Sequence, residues 1–177
     1  MKKHIHIFGA SGSGTTTIAK GVCEQVNYKH FDSDNYFWLP TADSFTVERD
    51  KKECIHLMQN DLQSNNQWVL SGSITGWGDI LLPLFDLVVF VYVPQDTRID
   101  RLKKREVERY GNRILYDGDR YEDSLKFIEW AATYDSGTSN GRSLPKHEAW
   151  LKNVVCPIIK VENYDLEESI QKVINAI

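Results

Sequence analysis

The chain has 177 residues, 41% of them hydrophobic and 26% charged, with a formal net charge of -4. This composition is typical of one globular domain with a sizeable core. The negative charge balance gives no support to a broad nucleic-acid-binding surface. No apolar run reaches the roughly 20 residues that a membrane-spanning helix needs.

Cysteine usage and the N-terminus indicate the compartment. Cys23, Cys54 and Cys156 are odd in number and far apart, which favours reduced thiols over a disulfide framework or a zinc site. The N-terminus enters a predicted strand directly, without the pattern of a signal peptide. We therefore expect a cytoplasmic protein.

A glycine-rich stretch follows the first predicted strand and directly precedes a helical pattern. Gly9, Gly12 and Gly14 have the spacing of a loop that wraps around phosphate groups. Glycine permits positive φ and a close approach of the backbone to a ligand, and the start of the next helix favours anions. The predicted phosphate-binding residues are Gly9, Ser11, Gly12, Ser13, Gly14, Thr15, Thr16 and Thr17. A Gly/Ser-rich turn without a ligand is the alternative.

One position of this loop departs from the usual pattern. Thr15 occupies the place where the motif has a lysine. If a triphosphate is bound, its positive counter-charge must therefore come from another part of the chain.

Two carboxylates end the second predicted strand, which covers residues 28–34. Asp32 and Asp34 are two residues apart, so in an extended chain they face the same side. Ligands of open α/β sheets bind at the carboxyl ends of strands. Two acids at that position can hold Mg²⁺ through water and orient or deprotonate a substrate hydroxyl. A solvated Asp-Ser-Asp-Asn turn is the alternative.

The middle of the chain alternates predicted strands with other segments. Residues 35–45 are aromatic and irregular, and they either line a pocket or cover the sheet edge. The later elements are an amphipathic helix from Val47 to Leu62, a strand at 67–72, a glycine-bearing loop at 72–79, a turn at 80–85 and a buried parallel strand at 86–93.

Four arginines recur on the helix that begins near Thr97. Their spacing of three, four and four residues predicts one stripe along the helix, formed by Arg98, Arg101, Arg105 and Arg109. A solvated face paired with Glu106 and Glu108 is the alternative. Arginine without lysine suits bidentate phosphate contacts, and Thr15 leaves a need for positive charge. We therefore predict that Arg101 and Arg105 bind phosphate.

A mobile lid is predicted after the arginine helix. Residues 110–121 are turn-rich, residues 121–134 are helical in pattern, and residues 136–143 form a hinge-like loop that contains Arg142. Such an insertion can close over a site and exclude water.

The last predicted elements return to the sheet. A short helix ends near Lys152, a strand covers residues 156–161, and Asp165 caps a final helix with Leu166 facing inward. The histidines show no metal-ligand spacing, and we interpret them as structural.

Taken together, the motifs GASGSGTTT, HFDSD, VLSGS, VYVP and RLKKR resemble those of small P-loop kinases of the adenylate kinase-like branch, close to topology modulation-related proteins. The resemblance covers nearly the whole chain. It implies a single P-loop domain over residues 1–177, with a lid insertion at approximately 106–145. The implied fold is a three-layer α/β domain with a five-stranded parallel sheet in the order 2-3-1-4-5.

The resemblance also implies a reaction. Such kinases transfer the γ-phosphoryl group of ATP, with Mg²⁺, to a small acceptor. By position, the loop would hold the ATP phosphates and Thr16 would ligate Mg²⁺, while Asp32 and Asp34 match the D-x-D of shikimate kinase-like members, where the acids serve magnesium and acceptor. Arg101 and Arg105 match lid arginines that clamp phosphates.

Two departures bear on catalysis. Thr15 replaces the lysine that bridges the β- and γ-phosphates, and Ser71 occupies the place of a magnesium-linked aspartate in nucleoside monophosphate kinases. Loss of a preorganised cation costs on the order of 3 kcal/mol of transition-state stabilisation. Arginines and Mg²⁺ either replace that cation, or the chain binds nucleotide without efficient transfer.

These patterns leave two functions open. One is an ATP-dependent small-molecule kinase with catalytic residues Asp32, Asp34, Arg101 and Arg105 and with Thr16 and Asp32 at the metal. The other is a nucleotide-binding regulatory protein built on a kinase scaffold.

Overall fold

A five-stranded parallel sheet forms the centre of the molecule in the computed structural model, which describes residues 1–177. The strands are β1 (His4–Gly9), β2 (Lys29–Asp32), β3 (Trp68–Ser71), β4 (Leu87–Tyr92) and β5 (Ile158–Glu162). Their order in the sheet is β2-β3-β1-β4-β5. The predicted α/β architecture and strand order are therefore confirmed.

Strand β1 occupies the middle of the sheet because its side chains suit burial on both faces. It pairs in parallel with β3 on one side and with β4 on the other. Ile5, Ile7 and Phe8 are fully buried. Fully buried parallel strands of this kind read as continuous apolar runs, and this strand brings Gly9 to the carboxyl edge of the sheet.

Helices cover both faces of the sheet, and all but the short one at residues 34–37, where the sequence predicts an irregular segment, correspond to predicted helical patterns. They are α1 (Thr15–Val26), α2 (Asp34–Phe37), α3 (Lys51–Gln63), α4 (Gln95–Tyr110), α5 (Tyr121–Ala132), α6 (Leu144–Leu151) and α7 (Leu166–Ile174). One core cluster joins α1 and α7 to the sheet, and a second cluster joins α3 and α6 to the opposite face.

Several predicted boundaries differ from the structure for local reasons. Helix α3 begins at Lys51, after Val47, because the Asp50 carboxylate accepts hydrogen bonds from two main-chain N–H groups of the first turn. The segment predicted as a turn at 80–85 is a 3₁₀ helix over Asp79–Leu84. Leu166 is exposed rather than buried, although Asp165 caps α7 as predicted.

None of the helices combines the length and the apolar composition that a membrane crossing requires.

Candidate functional site

A cavity of about 1340 Å³ lies at the carboxyl edge of the sheet. It is placed there because β1, β2 and β3 all end at this edge and the loops that follow them turn outward. Its wall contains Gly9 and Asp32, which end β1 and β2, and Gly72, which directly follows β3. The opposite wall comes from α4, α5 and α6.

The glycine-rich loop forms one end of this cavity. Gly12 and Gly14 have φ angles of 81° and 90°, a region that side-chain-bearing residues rarely adopt. Gly14 also ends the loop at the N-terminus of α1, where no acidic side chain or side-chain cap occupies the first turn. The free N–H groups of that turn therefore remain available to an anion.

Glycine is also required at Gly9 and Gly14 by close packing. A Cβ atom on Gly9 would lie 2.3 Å from the main-chain oxygen of Val91, and one on Gly14 would lie 2.4 Å from Asn163 Nδ2. Both distances are too short for a real carbon contact. The loop is thus held between β4 and the end of β5.

Seven of the eight predicted loop residues line the cavity: Gly9, Ser11, Gly12, Gly14, Thr15, Thr16 and Thr17. Ser13 is the exception, because its side chain is fully buried and its hydroxyl donates to the carbonyl of Ala10 at 2.8 Å. A side-chain contact from Ser13 to a ligand is therefore not part of this geometry. Its hydroxyl instead stabilises the loop from inside through this hydrogen bond to Ala10.

Two oxygen groups meet where the loop faces β2. Thr16 Oγ1 donates to Asp32 Oδ2 at 2.9 Å. A hydroxyl and a carboxylate oxygen this close form the kind of hard-oxygen pair that Mg²⁺ prefers. No cluster of three or more histidine, cysteine, aspartate or glutamate side chains provides a further metal site, so the remaining ligands of such an ion would be water and ligand oxygens.

Asp34 differs in conformation from the sequence-based expectation. Strand β2 ends at Asp32, and Asp34 is the first residue of α2, so the two acids are not on one side of an extended strand. The main-chain N–H of Asp34 donates instead to Asp32 Oδ1 at 3.1 Å. Both carboxylates nevertheless line the cavity.

Burial raises the pKa of Asp34, and the positive charges of Arg142, Arg105 and Arg109 act in the opposite direction. A carboxylate with a raised pKa accepts a proton more readily than an ordinary one. Asp34 therefore has the surroundings of a group that can receive a hydroxyl proton.

The arginines of the chain divide into two sets of four. One set forms ion pairs with carboxylates: Arg49, Arg98, Arg113 and Arg120. The other set lines the cavity and lies beyond 4.0 Å from any carboxylate: Arg101, Arg105, Arg109 and Arg142. Guanidinium groups without a protein counter-ion are suited to an anionic ligand.

Arg98 does not belong to the predicted phosphate-facing stripe. Its side chain is fully buried, pairs with Asp135 at 2.8 Å and donates to the carbonyls of Val93 and Ala131. It anchors the start of α4 to the end of α5. Along α4 the arginines pass from the core to the cavity, so Arg101, Arg105 and Arg109 face the cavity and Arg98 does not.

Arg101 lies next to the glycine-rich loop. Its Nη2 donates to the carbonyl of Asn163 at 2.9 Å, and its Nη1 would lie 4.0 Å from a Cβ atom on Gly14. One turn later, Arg105 has a buried Nε without a hydrogen-bond partner. Burial lowers the pKa of Arg105, and the nearby positive charge of Arg109 lowers it further. An anion in the cavity would raise this pKa again.

Sequence reasoning missed Asn163 and gave Arg142 no role. Asn163 Nδ2 donates to the carbonyl of Ser13 at 2.8 Å, so the end of β5 supports the loop. Its position two residues after the strand predicted at 156–161 was the only available signal. Arg142 lies in a loop whose path cannot be read from local patterns.

Comparison with known proteins identifies the family. A family model described as AAA domain matches residues 5–124. The chain belongs to this AAA-domain family. It is 47% identical over 163 residues to the uncharacterized protein YqaC of Bacillus subtilis (strain 168), with 92% of this chain and 90% of the relative covered. It is 29% identical over 113 residues to a cytidylate kinase of Archaeoglobus fulgidus, with 58% of this chain and 61% of the relative covered.

Solved structures of small kinases share the fold. Shikimate kinase from Bacteroides thetaiotaomicron matches with a TM-score of 0.61 at 17% identity, covering 99% of this chain and 98% of that chain. A gluconokinase from Sinorhizobium meliloti 1021 matches with a TM-score of 0.58 at 14% identity, covering 98% and 90%. The chain therefore has the three-layer fold of small P-loop kinases.

Proposed function

We propose that this protein binds ATP with Mg²⁺ at the glycine-rich loop and transfers the γ-phosphoryl group to a small molecule. The observation that carries the proposal is the set of four arginines without carboxylate partners, Arg101, Arg105, Arg109 and Arg142, all in the cavity that the loop closes. They supply positive charge in a site where Thr15 replaces the usual lysine. In finer classification, we propose an adenylate kinase-like, topology modulation-related member of the small P-loop kinases.

The proposed nucleotide site is the loop and the first turn of α1. Main-chain N–H groups of the segment Gly9–Thr17 would bind the phosphate oxygens, because those of the first turn of α1 have no side-chain cap. Thr16 and Asp32 would hold Mg²⁺, and their 2.9 Å contact supports that assignment. When bound, the ion would supply neutralising charge to the phosphate oxygens.

Asp34 and the arginines would act on the reacting groups. Asp34 would orient the acceptor hydroxyl and receive its proton, in keeping with its raised pKa. Arg101 and Arg105 would stabilise charge on the transferring group from α4. The acceptor would lie near α2, where Phe37 and Trp77 offer aromatic surface.

We also propose that residues 106–145 act as a lid. They include the end of α4, all of α5 and the loop that carries Arg142, and they provide one wall of the cavity. Closure of such a wall excludes water from phosphoryl transfer.

A binding screen followed by a transfer assay tests this function. Nucleotides should raise the melting temperature, more so with Mg²⁺, because a ligand that binds only the folded state stabilises it. Cytidine monophosphate, shikimate and gluconate, the acceptors suggested by the similar proteins, should then be tested for acceptor-dependent ADP formation. Absence of any nucleotide-dependent stabilisation would disprove the proposal.

A nucleotide-binding regulatory protein without efficient transfer is the second candidate. Ser71 favours it, because its hydroxyl is buried and lies 2.9 Å from His30 Nε2, away from the cavity, where related kinases carry an aspartate. Nucleotide binding without ADP formation from a broad acceptor panel would support this role. Acceptor-dependent ADP formation would exclude it as a full account.

A further inference from the structure

A chain of four polar side chains runs from the end of α5 to the cavity. Tyr134 Oη lies 2.8 Å from His147 Nδ1, and His147 Nε2 lies 3.0 Å from Ser73 Oγ. Ser73 Oγ donates to Thr75 Oγ1 at 3.2 Å. The first three residues are buried, whereas Thr75 is partly exposed and lines the cavity.

The direction of these hydrogen bonds follows from the number of hydrogen atoms that His147 and Tyr134 can donate. Burial lowers the pKa of His147 to about 3, so its ring is neutral and has one N–H group. If Nδ1 carried that hydrogen, the hydroxyl hydrogen of Tyr134 would be buried without an acceptor, because Tyr134 Oη contacts no other acceptor. Buried donors without partners are strongly disfavoured.

The favoured arrangement runs from Tyr134 toward the cavity. Tyr134 donates to His147 Nδ1, His147 Nε2–H donates to Ser73, and Ser73 donates to Thr75. The hydroxyl hydrogen of Thr75 then has no acceptor in the protein. It is available to a ligand oxygen in the cavity, because the hydrogen bond from Ser73 already occupies one of the two lone pairs of Thr75 Oγ1.

Thr75 stands on the acceptor side of the cavity. It follows β3, which lies between β1 and β2 in the sheet, so it is on the side of Asp32 and away from Arg101 and Asn163. A Cβ atom on Gly72, three residues earlier, would lie 3.6 Å from Asp32 Oδ1. The loop from Gly72 to Trp77 thus faces the region proposed above for the acceptor.

We propose that Thr75 determines acceptor specificity by donating a hydrogen bond to an oxygen of the acceptor, and that Tyr134, His147 and Ser73 are positioning residues that fix this direction. The ligand group would be a carbonyl, carboxylate, ether or phosphate oxygen. The identity of the ligand as the phosphoryl acceptor rests on the proposed function. The direction of the hydrogen bonds does not.

The tautomer of His147 tests the direction without any ligand. Nitrogen chemical shifts of the labelled protein should show the hydrogen on Nε2 and an unprotonated Nδ1. In Tyr134→Phe, which removes only the hydroxyl, the hydrogen should stay on Nε2, where Ser73 still accepts it, and the Nδ1 signal should shift because Nδ1 has lost its donor. A wild-type ring with its hydrogen on Nδ1 would overturn the proposal.

Paired variants of Thr75 test the ligand contact. With cytidine monophosphate, shikimate or gluconate as probe and saturating Mg·ADP present, Thr75→Val should weaken binding of the probe about tenfold, the usual effect of one lost hydrogen bond. Thr75→Ser retains the hydroxyl and should bind within about twofold of wild type. Affinity for ATP should not change in either variant. Equal probe binding by the valine and serine variants would overturn the role of Thr75.

These measurements separate the two proposals. If ATP binds but none of the three probes does, the proposed acceptors are wrong. The tautomer of His147 then still decides the direction of the hydrogen bonds between the four side chains. If the tautomer is as expected and a probe discriminates valine from serine, both stand.

Discussion

Arg101 has the position expected of the cation that replaces the missing lysine. It contacts the end of β5 through the carbonyl of Asn163 and reaches Gly14 with its second nitrogen. On the proposed function, this guanidinium is tethered from outside the loop, so it would stabilise charge that develops at the γ-phosphate without being part of the phosphate-binding loop itself.

Substitution of Arg101 should therefore affect turnover more than nucleotide binding. In Arg101→Ala we expect a fall in kcat of roughly 10²-fold, the scale of losing one preorganised charge-stabilising group, with a smaller change in the Kd of ATP. The matched control is Lys103→Ala, an exposed cation on the same helix, which should leave both constants unchanged. Equal kcat in wild type and Arg101→Ala would contradict the role.

His6 allows a prediction about pH. It is fully buried between the rings of Phe8 and Phe85, and burial lowers its pKa to about 3 from 6.5. The unfolded chain therefore binds more protons than the folded one between these values, so the free energy of unfolding falls as the pH is lowered below 6.5.

Removal of this histidine should flatten the pH profile of stability. Between pH 7 and pH 5, His6 should account for a loss of about 2 kcal/mol in wild type, and His6→Phe should lose correspondingly less. Urea unfolding at several pH values measures this. The exposed His56 provides the control, because His56→Gln should retain the wild-type slope; a His6→Phe slope equal to that of wild type would refute the assignment.

At the scale of elements, side-chain contacts join two segments that border the cavity, residues 41–46 and residues 110–116. The Arg113 guanidinium, just after α4, binds Asp43 at 2.8 Å and also pairs with Asp119. Arg113 lowers the pKa of Asp43 through these hydrogen bonds. Tyr110 Oη reaches the carbonyl of Ser44 at 3.4 Å nearby, so the two loops meet at more than one point.

Loss of the Asp43 carboxylate should loosen this contact. In Asp43→Asn, hydrogen exchange should accelerate in residues 41–46 and 110–116, while the melting temperature changes little because exposed ion pairs contribute little to global stability. Asp119→Asn keeps the link between the loops and should accelerate exchange only near residues 113–120. Indistinguishable exchange patterns in the two variants would argue against a specific link.

Regular elements could be predicted from the sequence, and irregular contacts could not. Strand β4 and helix α7 are determined by residues that are neighbours in the sequence, namely the apolar run at 86–93 and the cap at Asp165. Local patterns therefore identified both elements. The burial of Arg98 depends on Asp135, which lies 37 residues away. The same limit applies to the site: the glycine spacing predicted the loop, but the support from Asn163 and the path of Arg142 depend on tertiary packing.

At the scale of the whole molecule, burial in the core protects the cysteine thiols from reaction. Cys23 and Cys54 are buried, Cys156 is partly exposed, and all three are free. Burial raises the pKa of each thiol, that of Cys23 to about 12. The reactive thiolate is therefore scarce throughout the folded protein.

Titration with Ellman's reagent should report this order. In the folded protein we expect at most one thiol to react, slowly, and in urea all three. Cys156→Ser should abolish the slow native reaction while leaving two thiols in urea. Rapid native labelling of two or more thiols would show that the core opens more readily than its packing indicates.

The contacts of Asn163 have a consequence for how the chain acquires its ligand site during synthesis. Its side chain holds the carbonyl of Ser13, and its own carbonyl holds Arg101. Asn163 follows the glycine-rich loop by 150 residues along the chain, so this support of the loop is translated long after the loop itself. On the proposed function, a nascent chain should therefore become able to retain nucleotide only after β5 has joined the sheet, so that binding reports the arrival of this last strand of the sheet.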